Sequence, residues 1–305
     1  MKALHCALAL IALLALPATP GVNAGDIAGS FSDSVMAVAR IDMNKLRQVP
    51  AIERAVNDEF GKLQGFCRQI REWTGVDLDC VDHLWLGVQK ANHGMVVMEG
   101  VHDIAAIRDS LMAIDHAQII PKEGVPIAVL LPDEKKPGTF NLGAVLDERV
   151  LVVGQPEATE AYIDAYTGNA QGLGEEKRAR IASLKDSEFM VHAFILGMKA
   201  EDVAKAPFLR GLTHGEVRMD VPGDLQVNVS VGVRKKGLLQ PIQKLAQGFF
   251  ELYAQMDDAG KGNPIKRQLF ENAAVRIEGE EVVVLSGIAE DVIDQLLEQK
   301  LTGIH

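Results

Sequence analysis

Four polar side chains crowd one short stretch of this chain: Asp77, Asp79, Asp82 and His83, with Cys80 among them. Carboxylates at alternate positions beside an imidazole are ligand types that a divalent cation takes. The glycine and the closing glutamate of an EF-hand loop are missing, so these residues do not spell that site. Aspartates close together between a helix and a strand are read more simply as solvated turn residues. His102-Asp103 places a base next to an acid, but adjacency in sequence is not the hydrogen-bond geometry that proton transfer needs. Asp103 reads as a helix cap. His192 alternates with apolar residues and reads as a satisfied sheet histidine. His93 and His214 fall in expected turns, and Ser230 and Ser286 fall on strands without a nucleophile's context. No nucleophile elbow, phosphate-binding loop, dinucleotide fingerprint or H-E-x-x-H helix occurs. No catalytic residue, metal ligand or cofactor is assigned, with Asp77, Asp79, Asp82 and His83 the weak candidates for a metal.

Cys67 and Cys80 are the cysteines that remain once the leader is removed, and two thiols alone are too few to hold a metal. They are expected to form a disulfide closing a short loop, worth about 3 kcal/mol.

The leader itself is residues 1–24. Lys2 gives a positive start, Ala3 to Leu16 is an apolar run, and Val22-Asn23-Ala24 is a small-residue cleavage site. The run is shorter than the roughly 20 residues of a membrane span. No cysteine follows it where a lipid could be attached; Cys6 lies before or within it. The expectation is an exported protein, periplasmic or extracellular, with no stable membrane insertion after cleavage. Without Lys2 the chain has 30 basic residues against 42 acidic ones, a net charge of −12. No basic run interrupts this, so nucleic acid and anionic membrane surfaces are excluded as partners.

The elements that position these residues follow from periodicity. Val35 to Ile41 reads as a strand. Ile52, Val56, Phe60, Leu63, Phe66, Ile70 and Trp73 form one helical stripe that ends at Gly75. A hairpin is expected at 84–89 and 95–101, a helix from Asp103, and a strand from Val125 to Leu131. Phe140 to Leu146 and Val150 to Val153 make a second hairpin, followed by a helix. Beyond a glycine-rich stretch at 169–174, strands are expected at 188–196, 217–221 and 225–233. A long helix (238–255), a short one (264–271) and a closing hairpin and helix complete the chain.

The two halves repeat. Val97 and Val229 lie 132 residues apart, as do Val150 and Val282. The expected fold is α+β: two related β-α-β-β-α-β-β-α units with antiparallel or mixed sheets and helices packed mainly on one face. The expected divisions are 1–24 leader, 25–168 first unit, 169–187 linker and short helix, and 188–305 second unit.

W-T-G-V-D at Trp73 to Asp77 and L-D-E-R-V-L-V-V-G at Leu146 to Gly154, behind a leader, resemble a loose group of exported bacterial α+β proteins known as domains of unknown function. That resemblance spans nearly the whole mature chain and implies no activity and no functional residues.

Three functions compete. The first is a non-enzymatic binding or scaffold protein of the cell envelope whose partner is another envelope protein. The second is a hydrolase or metal enzyme assembled from distant residues. The third is a carrier of a small apolar ligand. The helix from Leu238 to Tyr253 supplies apolar surface for the binding readings, with Phe249 and Tyr253 the expected partner surface.

Overall fold

The computed structural model describes residues 26–50, 53, 68, 71, 75–90, 93–113, 118–122, 124–132, 140–197, 211–220, 225–255, 264–289 and 291–292. The leader, Cys67 and all seven residues of the stripe ending at Trp73 lie outside them. The chain divides into two units. Unit 1 takes Met1–Asn44 and Lys62–Asp186, and unit 2 takes Lys45–Gly61 and Ser187–His305.

The strands of unit 1 are β1 (Ala37–Asp42), β2 (Val81–Lys90), β3 (His93–Gly100), β4 (Gln118–Ile119), β5 (Ile127–Pro132), β6 (Phe140–Val145) and β7 (Val150–Gly154). They form an antiparallel sheet in the order β1-β2-β3-β7-β6-β5-β4. The helices are α1 (Met43–Arg47), α2 (Ile104–Met112), α3 (Pro156–Tyr166) and α4 (Glu175–Lys185). α1 begins in unit 1 and crosses into unit 2 at Lys45.

Both faces of this sheet are apolar, and helices cover both. Val96, Met98, Leu151, Val153, Val145 and Val129 pack with Ile107 and Ile104 of α2. The opposite face carries the paired row Trp85, Val97, Val152 and Ala144, all buried. α3 lies on that side: Tyr162 meets Phe31 edge-on at 5.2 Å, and its hydroxyl donates to the Ile27 carbonyl at 3.2 Å. This departs from the expectation of helices mainly on one face. The reason is the continuous apolar run in β7, Val150 to Val153, which presents apolar side chains to both sides of the sheet.

The glycine-rich stretch at 169–174, expected as a linker, is packed. Leu173 is buried and its N–H donates to the Gly29 carbonyl at 3.1 Å. Gly174 precedes α4, whose Ile181 and Leu184 are buried, and unit 1 extends through this helix to Asp186.

Unit 2 contains β8 (Val191–Ile195), β9 (Leu212–Asp220), β10 (Leu225–Val233), β11 (Ala274–Glu278), β12 (Glu281–Ile288), α5 (Leu239–Gln255) and α6 (Pro264–Glu271). Its sheet is antiparallel, in the order β8-β9-β10-β12-β11. Strand alternation divides it into two unlike faces. Val217, Met219, Val227, Val229, Val231, Val282 and Val284 face the α5 and α6 side, where Leu239 and Ile242 pack against Val282, Val275 and Ile277. His192, Glu216, Arg218, Asp220, Gln226, Asn228 and Ser230 share the other face.

The central strands of the two units have matching register. In unit 1 Val97 pairs with Trp85 on one side and Val152 on the other. In unit 2 Val229 pairs with Val217 and Val284. Each residue of the second triple lies 132 positions after its counterpart in the first.

Candidate functional site

The four candidates around Cys80 do not converge. Asp77 caps a single 3₁₀ turn (Leu78–Cys80), accepting from the Asp79 N–H at 3.1 Å, and pairs with Arg71 at 3.0 Å. Asp82 and His83 are consecutive on β2, where the pairing with β3 is irregular between Val81 and His83. Asp82 stands 3.8 Å from Arg149. His83 donates from Nδ1 to Glu99 at 3.1 Å, and Trp85 donates its indole N–H to the same oxygen at 3.0 Å. The bond from His83, with help from Trp85, holds the Glu99 carboxyl below its ordinary value despite burial. Among the described residues no cluster of three or more His, Cys, Asp or Glu side chains forms a metal site. Cys80 is exposed and has no disulfide partner among the described residues; its expected partner Cys67 lies outside them.

Asp103 caps α2, accepting from the N–H groups of Ala105 and Ala106 at 3.0 Å each. His102 is buried, its Nε2 donates to the Met98 carbonyl at 3.4 Å rather than to a catalytic acid, and burial lowers its pKa. His93 and His214, expected in turns, are strand residues. His93 opens β3, and His214 lies in β9, where Nε2 meets Glu281 at 3.1 Å. β9 starts five residues before the expected strand because His214, Glu216, Arg218 and Asp220 alternate with Gly215, Val217 and Met219. That period of two was readable in the sequence but was masked by its polarity.

His192, read as a satisfied sheet histidine, lies on β8 within a larger polar network. Its ring is buried and bridges Ser187 and Glu216. Glu216 Oε1 lies 2.6 Å from His192 Nε2, 2.8 Å from Arg218 Nε and 2.7 Å from an Arg218 terminal nitrogen. Ser230 donates to the other carboxylate oxygen at 3.4 Å. Burial alone would raise the Glu216 pKa, but the bonds from His192 and Arg218 outweigh it and leave the group below its ordinary value. An ionised carboxylate only accepts, so Nε2 donates to Glu216, and Nδ1 meets the Ser187 hydroxyl at 2.9 Å. This line of serine, histidine and acid has the connectivity of a nucleophile relay. Its chemistry is that of an anchor: Arg218 neutralises the acid on the same oxygen that holds His192, and Ser187 also accepts from the Phe189 N–H at 3.2 Å. Neither Glu216 nor Arg218 was singled out from sequence, because Arg218 pairs with Glu216 and the histidine that Glu216 holds is 24 residues away on a neighbouring strand.

An apolar cleft of unit 2 runs along α5. A cleft of about 660 Å³ is lined by Ile242, Leu245, Ala246, Gly248, Phe250 and Val284, with Lys244 at its edge. Ile242, Ala246 and Phe250 recur every four residues and share one helix face. Phe250 meets Phe270 of α6 at 5.7 Å. Leu245 lies off that row and is 58% exposed, unusual for a leucine beside an apolar cleft. A β-carbon at Gly248 would meet nothing within 4 Å, so the cleft is open at that position. Phe249 and Tyr253, the expected partner surface, belong to α5, but their side chains lie outside the described residues.

Among the described residues no helix is long and apolar enough to cross a membrane. No family model and no curated protein matches the chain. Among solved structures, it is similar to crystal form IV of TP0453, with a TM-score of 0.51 and 13% identity over 90% of this chain and 96% of that one. Crystal form I of TP0453 gives a TM-score of 0.49 and 11% identity over 92% of this chain and 99% of that one. At this identity the likeness to form IV concerns the fold alone.

Proposed function

We propose that the chain is an exported, non-enzymatic binding protein of the cell envelope and that its binding face is the α5 cleft. The carrying observation is the cleft itself: apolar walls and an exposed Leu245 on a helix where Leu239, Ile242 and Phe250 are packed. Covering one leucine of this kind contributes about 1.5–3 kcal/mol, enough for Leu245 alone to alter affinity tenfold or more. The occupant is the apolar side-chain cluster of another envelope protein. The test is capture from native envelope by the mature chain and by Leu245→Asp, with folding of both checked by circular dichroism. A partner retained by the first and lost by the second supports the reading. Equal capture by both removes the cleft from it. A carrier of small apolar ligands would instead enhance the fluorescence of phenylnaphthylamine, and Leu245→Asp would abolish that signal.

Export brings a second expectation. In an oxidising compartment Cys67 and Cys80 are joined, so thiol labelling of unreduced secreted protein finds neither residue. Labelling at the exposed Cys80 would refute the bridge.

We also infer that the two units are copies of one β-α-β-β-α-β-β-α ancestor. The common 132-residue offset in three successive paired strands supports this. The turn before the last strand of each unit differs. Leu146 to Arg149 join β6 to β7, where only Gly279 and Glu280 join β11 to β12, so the register slips by one residue there.

A further inference from the structure

The polar face of the unit 2 sheet ends in a pocket that the α5 cleft does not explain. It has a volume of about 450 Å³, within the ~300–1,000 Å³ range of small-molecule sites. Its walls include Phe189, Arg218, Asp220, Gln226, Asn228 and Asn272. Arg218 and Asn228 are directly opposed across β9 and β10, and Asp220 and Gln226 are the next opposed pair on the same face.

The network beneath the pocket prepares it. Glu216 grips Arg218 through two nitrogens, and the guanidinium lies 5.5 Å over the Phe189 ring. Phe189 in turn meets the buried His192 ring edge-on at 5.6 Å. One end of the guanidinium is thus fixed, while the side chain keeps 39% exposure. Asn272 spends one N–H on the Gly287 carbonyl at 3.0 Å, which holds its amide in place. Among the described residues no hydrogen bond engages the side-chain amides of Gln226 or Asn228.

Charge decides the ligand class. The Arg218 cation is compensated by Glu216 at 2.7 Å. Asp220 adds a carboxylate to the wall, loosely balanced by Lys45 at 3.9 Å. The pocket therefore offers no surplus positive charge, and a phosphate or carboxylate entering it would face Asp220. The remaining groups are donors and acceptors in nearly equal measure: an arginine edge, three amides and a carboxylate. Hydroxyl groups, which both donate and accept, satisfy such a mixture, and Phe189 provides an apolar wall for the carbon face of a ring. We propose that this pocket binds a neutral saccharide, independently of the α5 cleft.

The test is a titration of the full mature chain, isotope-labelled for NMR, with chitotriose, maltotriose and cellotriose in turn, and with inorganic phosphate as the anionic comparison. At least one trisaccharide is expected to shift the side-chain amide signals of Gln226 and Asn228 at millimolar concentration, with phosphate leaving them in place. The paired change Gln226→Ala with Asn228→Ala should weaken that binding at least fivefold, and Leu245→Asp should leave it unchanged. Arg218 is tied to the buried network, so Arg218→Lys serves only as a supporting variant. No shift with any of the three sugars overturns the proposal, as does a phosphate response of equal strength or undiminished binding by the double variant.

Discussion

Glu216 concentrates more of the molecule's polar order than any other described side chain. Three donors meet one of its oxygens, and they come from β8 and from β9 itself. A hydrogen bond to a charged group contributes about 1.5–3 kcal/mol, and leaving its partners unmatched costs a similar amount. Glu216→Gln keeps the shape but loses the charge that Arg218 and His192 both answer. The expected result is a loss of about 2–3 kcal/mol in urea unfolding, with the Phe189 ring freed from its fixed place against Arg218. Fluctuations of that ring are readable by NMR. A variant as stable as the parent would show that the network is ornamental to folding. His192 was visible in the sequence as a strand histidine, and its satisfaction was expected. Its partners were not, since Ser187 precedes the strand and Glu216 follows a long connection.

At the scale of elements, the two glycines most open to test are in opposite situations. Gly75 has φ +70 and its N–H donates to the Arg71 carbonyl, as a C-capping glycine does. A β-carbon there would sit 2.5 Å from the Ala106 carbonyl oxygen. Gly75→Ala therefore combines left-handed strain with a backbone collision, and a loss of about 2–3 kcal/mol is expected in thermal or urea unfolding. Gly248 lies inside α5 with open space around it. Gly248→Ala removes the entropy cost of glycine in a helix and should stabilise the chain by about 0.5–1 kcal/mol. The same methyl narrows the α5 cleft, so capture of the envelope partner should fall as stability rises. A variant in which both rise would separate the cleft from binding. Gly75 was legible in the sequence as the end of a periodic stripe. Gly248 was not, because a glycine amid helical spacing carries no sign of what packs beside it.

For the whole molecule, three described groups give acid sensitivity of the same sign. Glu99 and Glu216 are held below their ordinary values, so their stabilisation is complete above about pH 4.5 and is lost as the pH falls through their folded values. His102 is also lowered, by burial. Below its ordinary value of about 6.5 the unfolded chain binds a proton that the folded chain refuses, so stability declines from that point downward. Urea midpoints should therefore fall in two stages on acidification, the first beginning as the pH drops through about 6.5. His102→Asn should flatten the first stage and leave the second. A first stage unchanged in that variant would assign it to another group.

Local chemistry was sufficient to read the alternation of Phe140 to Leu146, the bounds of α6, the cap at Asp103 and the C-cap at Gly75, because each depends on residues within a turn or two of one another. Strand spacing also exposed the 132-residue offset before any pairing was visible, since a side-chain period of two makes strands of like pattern recognisable by position alone. Tertiary structure alone decided that Asp77 and Asp82 turn to different arginines, that the residues around Gly172 are packed into unit 1, and that helices cover both faces of its sheet. It alone assembled Ser187, His192, Glu216 and Arg218 around one carboxylate. Hydrogen bonds of that kind join side chains across neighbouring strands, and which strands become neighbours is set by sheet order, a property that no local pattern encodes.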